Sequence, residues 1–263
     1  MSSLERFVAS SARKFGLEIS RVSSTGTQLP VEATTQDAAL IASLKPFTMT
    51  SGERLWSLLN AVRHVVDNKI PGDSVECGVW RGGSVMAMAQ ELSSLGVSDR
   101  QIWLYDTFSG MTAPTAEDVE AGSGVTAETM LDETLVGDGD NVWCVAGLPD
   151  VQSNVFSNGY PKDKFTFVEG DVSQTLGEIV PAKISLLRLD TDWYESTRME
   201  LEVLYPRLSV GGVCIFDDYG HWQGARKAVD DYFKKLGLRP YMHPIDYSRR
   251  VLIKTEPYVG SGS

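Results

Sequence analysis

Three aspartates stand where two successive apolar stretches of the chain end. Asp190 closes the stretch 184–190, and the pair Asp217 and Asp218 closes the stretch 213–218. If these stretches are neighbouring parallel strands, about 4.8 Å apart, their last side chains point into one crevice. Crowded carboxylates repel one another unless a cation joins them, and Mg²⁺ prefers carboxylate, water and substrate oxygens as ligands. The pattern therefore predicts a magnesium site that acidifies and orients a substrate hydroxyl.

Each part of this acidic group also has a second interpretation. Asp217 and Asp218 could instead cap the helix that follows them. Asp192 lies two residues beyond Asp190 and, on a turn, could bind the ion in its place. His221 is a candidate second base, although a lone histidine on a loop is more often a surface hydrogen-bonding residue. The sequence leaves these alternatives open.

Residues 74–89 have the pattern of a short strand, a glycine-bearing turn and the start of a helix. Gly78 permits a sharp turn, and Gly82 with the glycine after it allows a ligand to approach the main chain. A helix that opens near Ser84 would aim its free N–H groups at that ligand. Glu76 would direct its carboxylate into the same crevice, which suits a ligand with a positive group. Because the spacing differs from G-x-G-x-x-G, the loop disfavours a dinucleotide, and a turn without a ligand is the alternative.

Two further predicted strands end in acids at the same edge of the sheet. The stretch 101–106 ends in Asp106, at a place where an acid commonly binds the ribose hydroxyls of a cofactor. The stretch 164–171 ends in Asp171. A role in a turn is the alternative for Asp106.

Several of these motifs together resemble the macrocin O-methyltransferase family, which consists of class I, metal-dependent sugar O-methyltransferases. The resemblance extends from about residue 48 to about residue 233, with the motifs in one order. It is carried by 76–83 (ECGVWRGG), 106–111 (DTFSGM), 189–197 (LDTDWYEST), 204–208 (LYPRL) and 211–220 (GGVCIFDDYG).

This resemblance implies that the cofactors are S-adenosylmethionine and Mg²⁺, and that the substrate is a small hydroxylated natural product, foremost the sugar of a glycoside. It implies metal ligands at Asp190, Asp217 and Asp218, with Asp190 also acting as the general base or supporting it. Catechol-type relatives have an amide at the position of Asp218, and the carboxylate here fits the sugar-modifying branch better. The implied cofactor positions are Glu76, Gly78, Val79, Gly82, Ser84, Asp106, Thr107 and Asp171.

Strand-like and helix-like stretches alternate along the chain, which predicts an α/β fold with a doubly wound, mostly parallel, Rossmann-like sheet. A helix capped by Thr50 or Ser51 precedes the glycine loop. The predicted strands are 74–77, 101–106, 164–171, 184–190 and 213–216, with two later ones near 239–244 and 250–255.

The predicted methyltransferase domain covers residues 48–257. A helical and loop segment over 1–47, with a helix over 4–16, precedes it, and a tail over 258–263 follows. Residues 108–160 lack a regular pattern and are rich in acids. We expect a mobile substrate lid there, and not a packed element.

Composition limits the kinds of partner. A formal net charge of -11 over 263 residues disfavours nucleic acid and anionic membranes. Cys77, Cys144 and Cys214 are too few and too scattered for a disulfide framework or a zinc site, and Cys77 and Cys214 are expected in the core. No stretch approaches the roughly 18–20 apolar residues of a membrane span, and the first residues lack a signal-peptide pattern. We expect a cytoplasmic protein that forms a homo-oligomer.

Three other functions compete with a sugar O-methyltransferase. A catechol or phenol O-methyltransferase would use the same chemistry on a flat, apolar substrate. A nicotinamide-dependent oxidoreductase shares the fold, but the missing G-x-G-x-x-G and the three strand-end aspartates disfavour it. A catalytically silent binding partner is disfavoured because all three carboxylates are present.

Overall fold

The computed structural model describes residues 29–133 and 143–256. The predicted helix over 4–16 and the tail over 258–263 lie outside the described residues.

A single sheet is formed by seven strands in the described parts of the chain: β1 (Asp73–Cys77), β2 (Ile102–Asp106), β3 (Phe165–Glu169), β4 (Ile184–Leu189), β5 (Leu208–Phe216), β6 (His243–Pro244) and β7 (Arg250–Ile253). Their order is β3-β2-β1-β4-β5-β7-β6. Strands β1 to β5 are parallel, and β7 is antiparallel to β5 and β6. Because the strand order reverses between β1 and β4, a ligand crevice is expected beyond their carboxyl ends.

Helices cover both faces of the sheet. They are α1 (Thr35–Leu44), α2 (Gly52–Asp67), α3 (Gly83–Ser94), α4 (Ala127–Glu133), α5 (Leu148–Phe156), α6 (Val172–Thr175), α7 (Tyr194–Val203) and α8 (Gln223–Lys235), with short 3₁₀ turns at Lys45–Phe47, Lys162–Lys164 and Tyr205–Arg207. In the described ranges, none of these helices has the length and apolar character needed to cross a bilayer.

The core lies in two layers, one on each side of the sheet. Helices α1, α2, α3 and α5 bury their apolar faces in one layer, and α6, α7 and α8 in the other. Strand β4 belongs to both, because Leu186 packs into the first layer while Leu187 and Leu189 pack into the second. A parallel strand buried on both faces explains the continuous apolar run seen in the sequence. Cys77 and Cys214 are fully buried core residues, as predicted.

The first residues of helix α2 and of strand β5 can be compared with their predicted positions. Helix α2 begins after Ser51, whose hydroxyl accepts from the Arg54 backbone N–H, so the predicted cap is confirmed. Strand β5 begins at Leu208, earlier than the predicted residue 213. Two glycines lie inside this strand: Gly211 has a φ of +83°, and a Cβ on Gly212 would come within 2.9 Å of the Ser185 carbonyl oxygen.

The expectation of an unpacked lid over 108–160 is wrong for part of that region. Helix α5 packs against α3 and buries Val151 and Val155 completely. The sequence does contain signals for this helix. Leu148, Val151 and Val155 have helical spacing, and Pro149 lies in the first turn, where proline is favoured. Residues 134–142 of this region lie outside the described residues.

Asp37 joins the first three helices. Its carboxylate accepts from the Thr34 backbone N–H at 2.9 Å and forms an ion pair with Arg63 of α2. The Nε of Arg63 also donates to Glu91 of α3 at 2.7 Å. Burial alone would raise the pKa of Asp37, but the hydrogen bonds from Arg63 and Thr34 outweigh it and hold the pKa below its usual value.

We expect Asp37→Asn to lower the free energy of unfolding by about 1–3 kcal/mol at pH 7. Because the folded-state pKa is depressed, this stabilisation is complete above the unfolded pKa of about 3.9 and is lost as the pH falls through the folded-state value. Denaturant unfolding at pH 7 and pH 3 measures the difference in unfolding free energy between the wild type and Asp37→Asn. Asp67→Asn, at the exposed end of α2, is the control. If the wild type were as much more stable than Asp37→Asn at pH 3 as at pH 7, this account would be contradicted.

Candidate active site

A cavity of about 320 Å³ opens beyond the carboxyl ends of the parallel strands. The predicted site residues that line it are Gly78, Asp106, Thr107, Asp171, Asp190, Asp217, Asp218 and His221. Four others, Glu76, Val79, Gly82 and Ser84, lie outside its lining. The fold therefore brings the strand-end acids and the glycine turn to one place.

Three carboxylates meet at the floor of this cavity. Asp190, Asp217 and Asp218 each offer one oxygen, and these oxygens lie within 4.8 Å of one another. The strand ladder sets the backbone positions, because the Asp190 N–H donates to the Cys77 carbonyl and the Asp217 N–H donates to the Leu189 carbonyl. Such a set of hard oxygen donors fits a divalent cation such as Mg²⁺.

Asp217 is held by three arginines from different parts of the chain. Its Oδ2 accepts from Arg54 of α2 at 3.1 Å. Its Oδ1 accepts from Arg188 of β4 at 2.8 Å and from Arg249, the residue just before β7. Although burial opposes ionisation, these three cations lower the pKa of Asp217 to about 2. Asp217 is therefore a fixed anion at neutral pH.

Asp218 lacks this support. Its Oδ2 is buried and has no hydrogen-bond partner among the described residues. Burial, and the charges of Asp192, Asp190 and Asp217, raise its pKa well above the usual value. A buried carboxylate oxygen without a donor is costly, and a cation is the partner that would satisfy it. The residues present thus fit a divalent ion.

Asp190 and Asp192 differ in their placement within the cavity. Asp190 belongs to the group of three, and its side chain is 28% exposed, whereas that of Asp217 is 4% exposed. Asp192 also lines the cavity but adopts a left-handed backbone with a φ of +65°, and its carboxyl interacts with Asp218 and Trp222. Burial and the charge of Asp190 raise the pKa of Asp192 to about 7. The geometry favours Asp190 as the ligand.

His221 lies at the rim of the cavity. Its ring packs edge-on against Trp222, with 5.0 Å between the ring centres, and its Nδ1 lies 3.3 Å from the Tyr247 hydroxyl. Burial lowers the pKa of His221 below its usual value, so the neutral ring predominates at pH 7. Trp193 and Trp222 are largely buried and pack against each other with 4.9 Å between their ring centres, and both also line the cavity.

The glycines of the loop are required by the protein itself. Gly78 has a φ of +81°, and a Cβ there would overlap the Asp190 carbonyl oxygen. A Cβ on Gly82 would come within 2.8 Å of Val155, and one on Gly83 within 2.6 Å of the Phe47 carbonyl oxygen. The expectation that the last two glycines make room for a ligand is therefore corrected: they make room for α5 and for the turn that precedes α2.

We expect Gly78→Ala to lower the free energy of unfolding by more than about 3 kcal/mol, because it adds a clash with the Asp190 backbone to the strain of a positive φ. Gly96→Ala is the matched control: its φ is +73°, but no atom of the described residues lies within 4 Å of the added Cβ. That variant has the strain of a positive φ without the clash, and its free energy of unfolding is expected to fall by about 1 kcal/mol. Thermal unfolding compares the two, and equal losses would contradict the clash.

Asp106 organises the turn after β1. Its Oδ2 accepts from the backbone N–H groups of Val79 and Trp80 at 2.6 and 3.1 Å, and its Oδ1 accepts from that of Phe108 at 2.7 Å. Burial raises the pKa of Asp106, and these backbone hydrogen bonds oppose the shift. Asp171 caps α6 by accepting from the Ser173 backbone N–H at 2.8 Å. Both acids also line the cavity, where a ligand with hydroxyl groups could reach them.

Glu76 does not face the cavity, although the sequence suggested that it would. Its carboxylate forms an ion pair with Arg188, and only 1% of the side chain is exposed. Sequence reasoning missed Arg188, Arg249 and Arg54. The available signal was a single arginine inside the apolar stretch of β4, because a buried charge of this kind is almost always paired.

The chain is similar to known O-methyltransferases over most of its length. The family model described as macrocin-O-methyltransferase (TylF) matches residues 24–252. The chain is 36% identical over 199 residues to 8-demethyl-8-(2,3-dimethoxy-alpha-L-rhamnosyl)-tetracenomycin-C 4'-O-methyltransferase of Streptomyces olivaceus, covering 76% of this chain and 72% of that protein. It is 33% identical to demethyldecarbamoylnovobiocin O-methyltransferase of Streptomyces niveus, again covering 76% of this chain and 72% of that protein.

Solved structures agree with this assignment. The O-methyltransferase NovP superposes with a TM-score of 0.69 at 31% identity, covering 80% of this chain and 83% of NovP. The calicheamicin methyltransferase CalS11 superposes with a TM-score of 0.57 at 21% identity, covering 96% and 93%, which supports the fold alone. The predicted fold class is confirmed. The chain therefore belongs to the macrocin O-methyltransferase family and is an O-methyltransferase with an α/β, Rossmann-like fold.

Proposed function

We propose that this protein transfers a methyl group from S-adenosylmethionine to a hydroxyl on the sugar of a small glycoside, and that it requires Mg²⁺. The observation that carries the proposal is the group Asp190, Asp217 and Asp218, in which a buried oxygen of Asp218 has no donor from any residue that the structure describes. These three residues would hold the ion. When bound, the ion would supply positive charge that makes an acceptor hydroxyl more acidic.

The protein's own residues account for the remaining steps. Asp106 and Asp171 would hold the hydroxyl-bearing part of the cofactor, and Asp106 fixes the turn at Val79 and Trp80 by accepting from their backbone N–H groups. Asp190 accepts the proton of the substrate hydroxyl, because its side chain is open to the cavity and its pKa is raised by burial. When bound, S-adenosylmethionine would supply the methyl group to the deprotonated oxygen, and its sulfur would keep the electron pair of the carbon–sulfur bond that breaks.

A sugar is the preferred acceptor because the Streptomyces olivaceus relative is named for methylation of a rhamnosyl derivative. A catechol or phenol acceptor is the alternative that a substrate panel would test.

Calorimetric titration tests the cofactor assignment. We expect S-adenosylmethionine to bind and NAD not to bind. With labelled donor and a panel of glycosides and phenols, methyl transfer is expected to stop after treatment with EDTA and to return with Mg²⁺. Binding of NAD would overturn the cofactor assignment, and full activity in EDTA would overturn the metal requirement. Transfer to phenols alone would overturn the sugar assignment.

A further inference from the structure

We propose that Glu76 and Arg188 are positioning residues for the three-aspartate group, and that Glu76 makes no direct contact with the cofactor. In this arrangement Glu76 fixes Arg188, and Arg188 holds Asp190 and Asp217 where they bind a divalent cation. The inference rests on the metal requirement proposed above. It gives Glu76 a role different from the cofactor position that the family resemblance implies.

The two residues are paired across neighbouring strands. Glu76 of β1 and Arg188 of β4 are in register, so their side chains leave the sheet on the same face. They form an ion pair in which the two side chains are 1% and 2% exposed. Glu76 lies outside the lining of the cavity, whereas Asp190 and Asp217, the other partners of Arg188, line it.

Arg188 connects this pair to the aspartates. Its Nη1 donates to Glu76, and its Nη2 lies 2.7 Å from Asp190 Oδ2 and 2.8 Å from Asp217 Oδ1. Because a guanidinium group is planar, holding one terminal nitrogen fixes the direction of the other. Arg188 is thus a shared donor between carboxylates that follow two different strands, and it offsets their repulsion.

The charge of Glu76 serves the same purpose. A buried arginine next to a cation site repels the cation, and an adjacent carboxylate compensates for that charge. Neutralising Glu76 would leave the positive charge of Arg188 uncompensated and its guanidinium less firmly held. Partners that orient metal ligands typically change metal affinity by about 10–100-fold when they are altered.

The test compares metal affinity with cofactor affinity in Glu76→Gln, which is nearly isosteric. We expect calorimetry at pH 8 to show Mn²⁺ affinity reduced about tenfold or more and S-adenosylmethionine affinity changed less than about threefold. Arg188→Lys is a second variant, in which one ammonium cannot contact Glu76 and both aspartates in the same way. We expect this variant, too, to lose Mn²⁺ affinity while its affinity for S-adenosylmethionine stays nearly unchanged.

Glu91→Gln is the matched control. Glu91 is also a buried glutamate paired with an arginine, since Arg63 Nε lies 2.7 Å from it, but it lies in α3 outside the cavity lining. It is expected to lower the unfolding temperature without changing Mn²⁺ affinity. If all three variants lost Mn²⁺ affinity, the loss would be a general effect of lower stability, and the proposal would be overturned.

The remaining outcomes separate this inference from the proposed function. If Glu76→Gln loses S-adenosylmethionine affinity while Mn²⁺ affinity is unchanged, Glu76 is a cofactor residue and the inference is overturned. If the wild type binds Mn²⁺ and both variants bind it equally well, only the inference is overturned. If the wild type binds no Mn²⁺, the metal requirement and the inference are overturned together.

Discussion

Asp190→Asn is expected to lower kcat by at least about 10³-fold while leaving the affinity for S-adenosylmethionine nearly unchanged. Asp190 offers one of the three clustered oxygens, and its side chain is partly exposed and lines the cavity. The substitution removes a metal ligand and the proton acceptor at once. Its carboxamide still fits the space, so the backbone path after β4 should be retained.

Asp192→Asn is the matched control for that variant. Asp192 lies in the same turn and lines the same cavity, but it does not belong to the group of three. We expect a loss in kcat of no more than about tenfold, because the base and the ligands remain. Labelled-donor assays with the accepted glycoside measure both variants. The opposite order, with the larger loss in Asp192→Asn, would transfer the role to Asp192.

Asp217 is a less informative place to test the metal. Arg54, Arg188 and Arg249 all use its carboxylate, so neutralising it would leave buried cations without their counter-ion. Loss of activity in Asp217→Asn would combine metal loss with structural damage. Asp190 avoids this because Arg188 keeps Glu76 and Asp217 as partners.

Asp106→Asn is expected to weaken S-adenosylmethionine binding by about 10²-fold or more. The carboxylate holds the Val79 and Trp80 N–H groups and faces the cavity, and charge-assisted hydrogen bonds are each worth about 1.5–3 kcal/mol. An amide at this position has one oxygen in place of two and presents a donor where an acceptor is needed. Calorimetry at constant pH measures the loss directly.

Glu169→Gln is the control for this second variant. Glu169 is the register partner of Asp106 on β3 and lies at the same edge of the sheet, but its side chain is exposed. The same loss of one charge there should change cofactor affinity less than about threefold. Unchanged affinity in Asp106→Asn, or an equal loss in both variants, would show that Asp106 does not bind the cofactor.

The sequence predicted the strand-end acids of the candidate site, but it did not predict the charged partners of those acids. The apolar stretches that became β1, β2, β4 and β5, and the acids that end them, are local patterns, and parallel strands in a sheet bring their carboxyl ends together. Alternation of strands and helices was enough to predict the doubly wound sheet. Helix α5 was missed although Leu148, Val151 and Val155 carry its spacing, because the surrounding glycines and acids outweighed that signal.

The partners of the charged residues depended on the tertiary structure. Asp217 is bound by Arg54, Arg188 and Arg249, which lie 163, 29 and 32 positions away in the chain. No local pattern contains such pairings. They arise from the strand order, which places β4 beside β1, and from the packing of α2 against β4 and β5. The same holds for Gly78, which must be a glycine because the carbonyl of Asp190 passes beside it.

The sequence by itself determined that this protein has a parallel α/β sheet with a glycine turn and acids at one edge, because periodicity and strand ends are local properties. Only the tertiary structure decided that Glu76 faces Arg188 in the core and that a buried oxygen of Asp218 has no donor within the described parts of the chain. The physical reason is that burial and ion pairing are set by which segments pack together, and strands β1 and β4 are far apart in the chain but adjacent in the sheet.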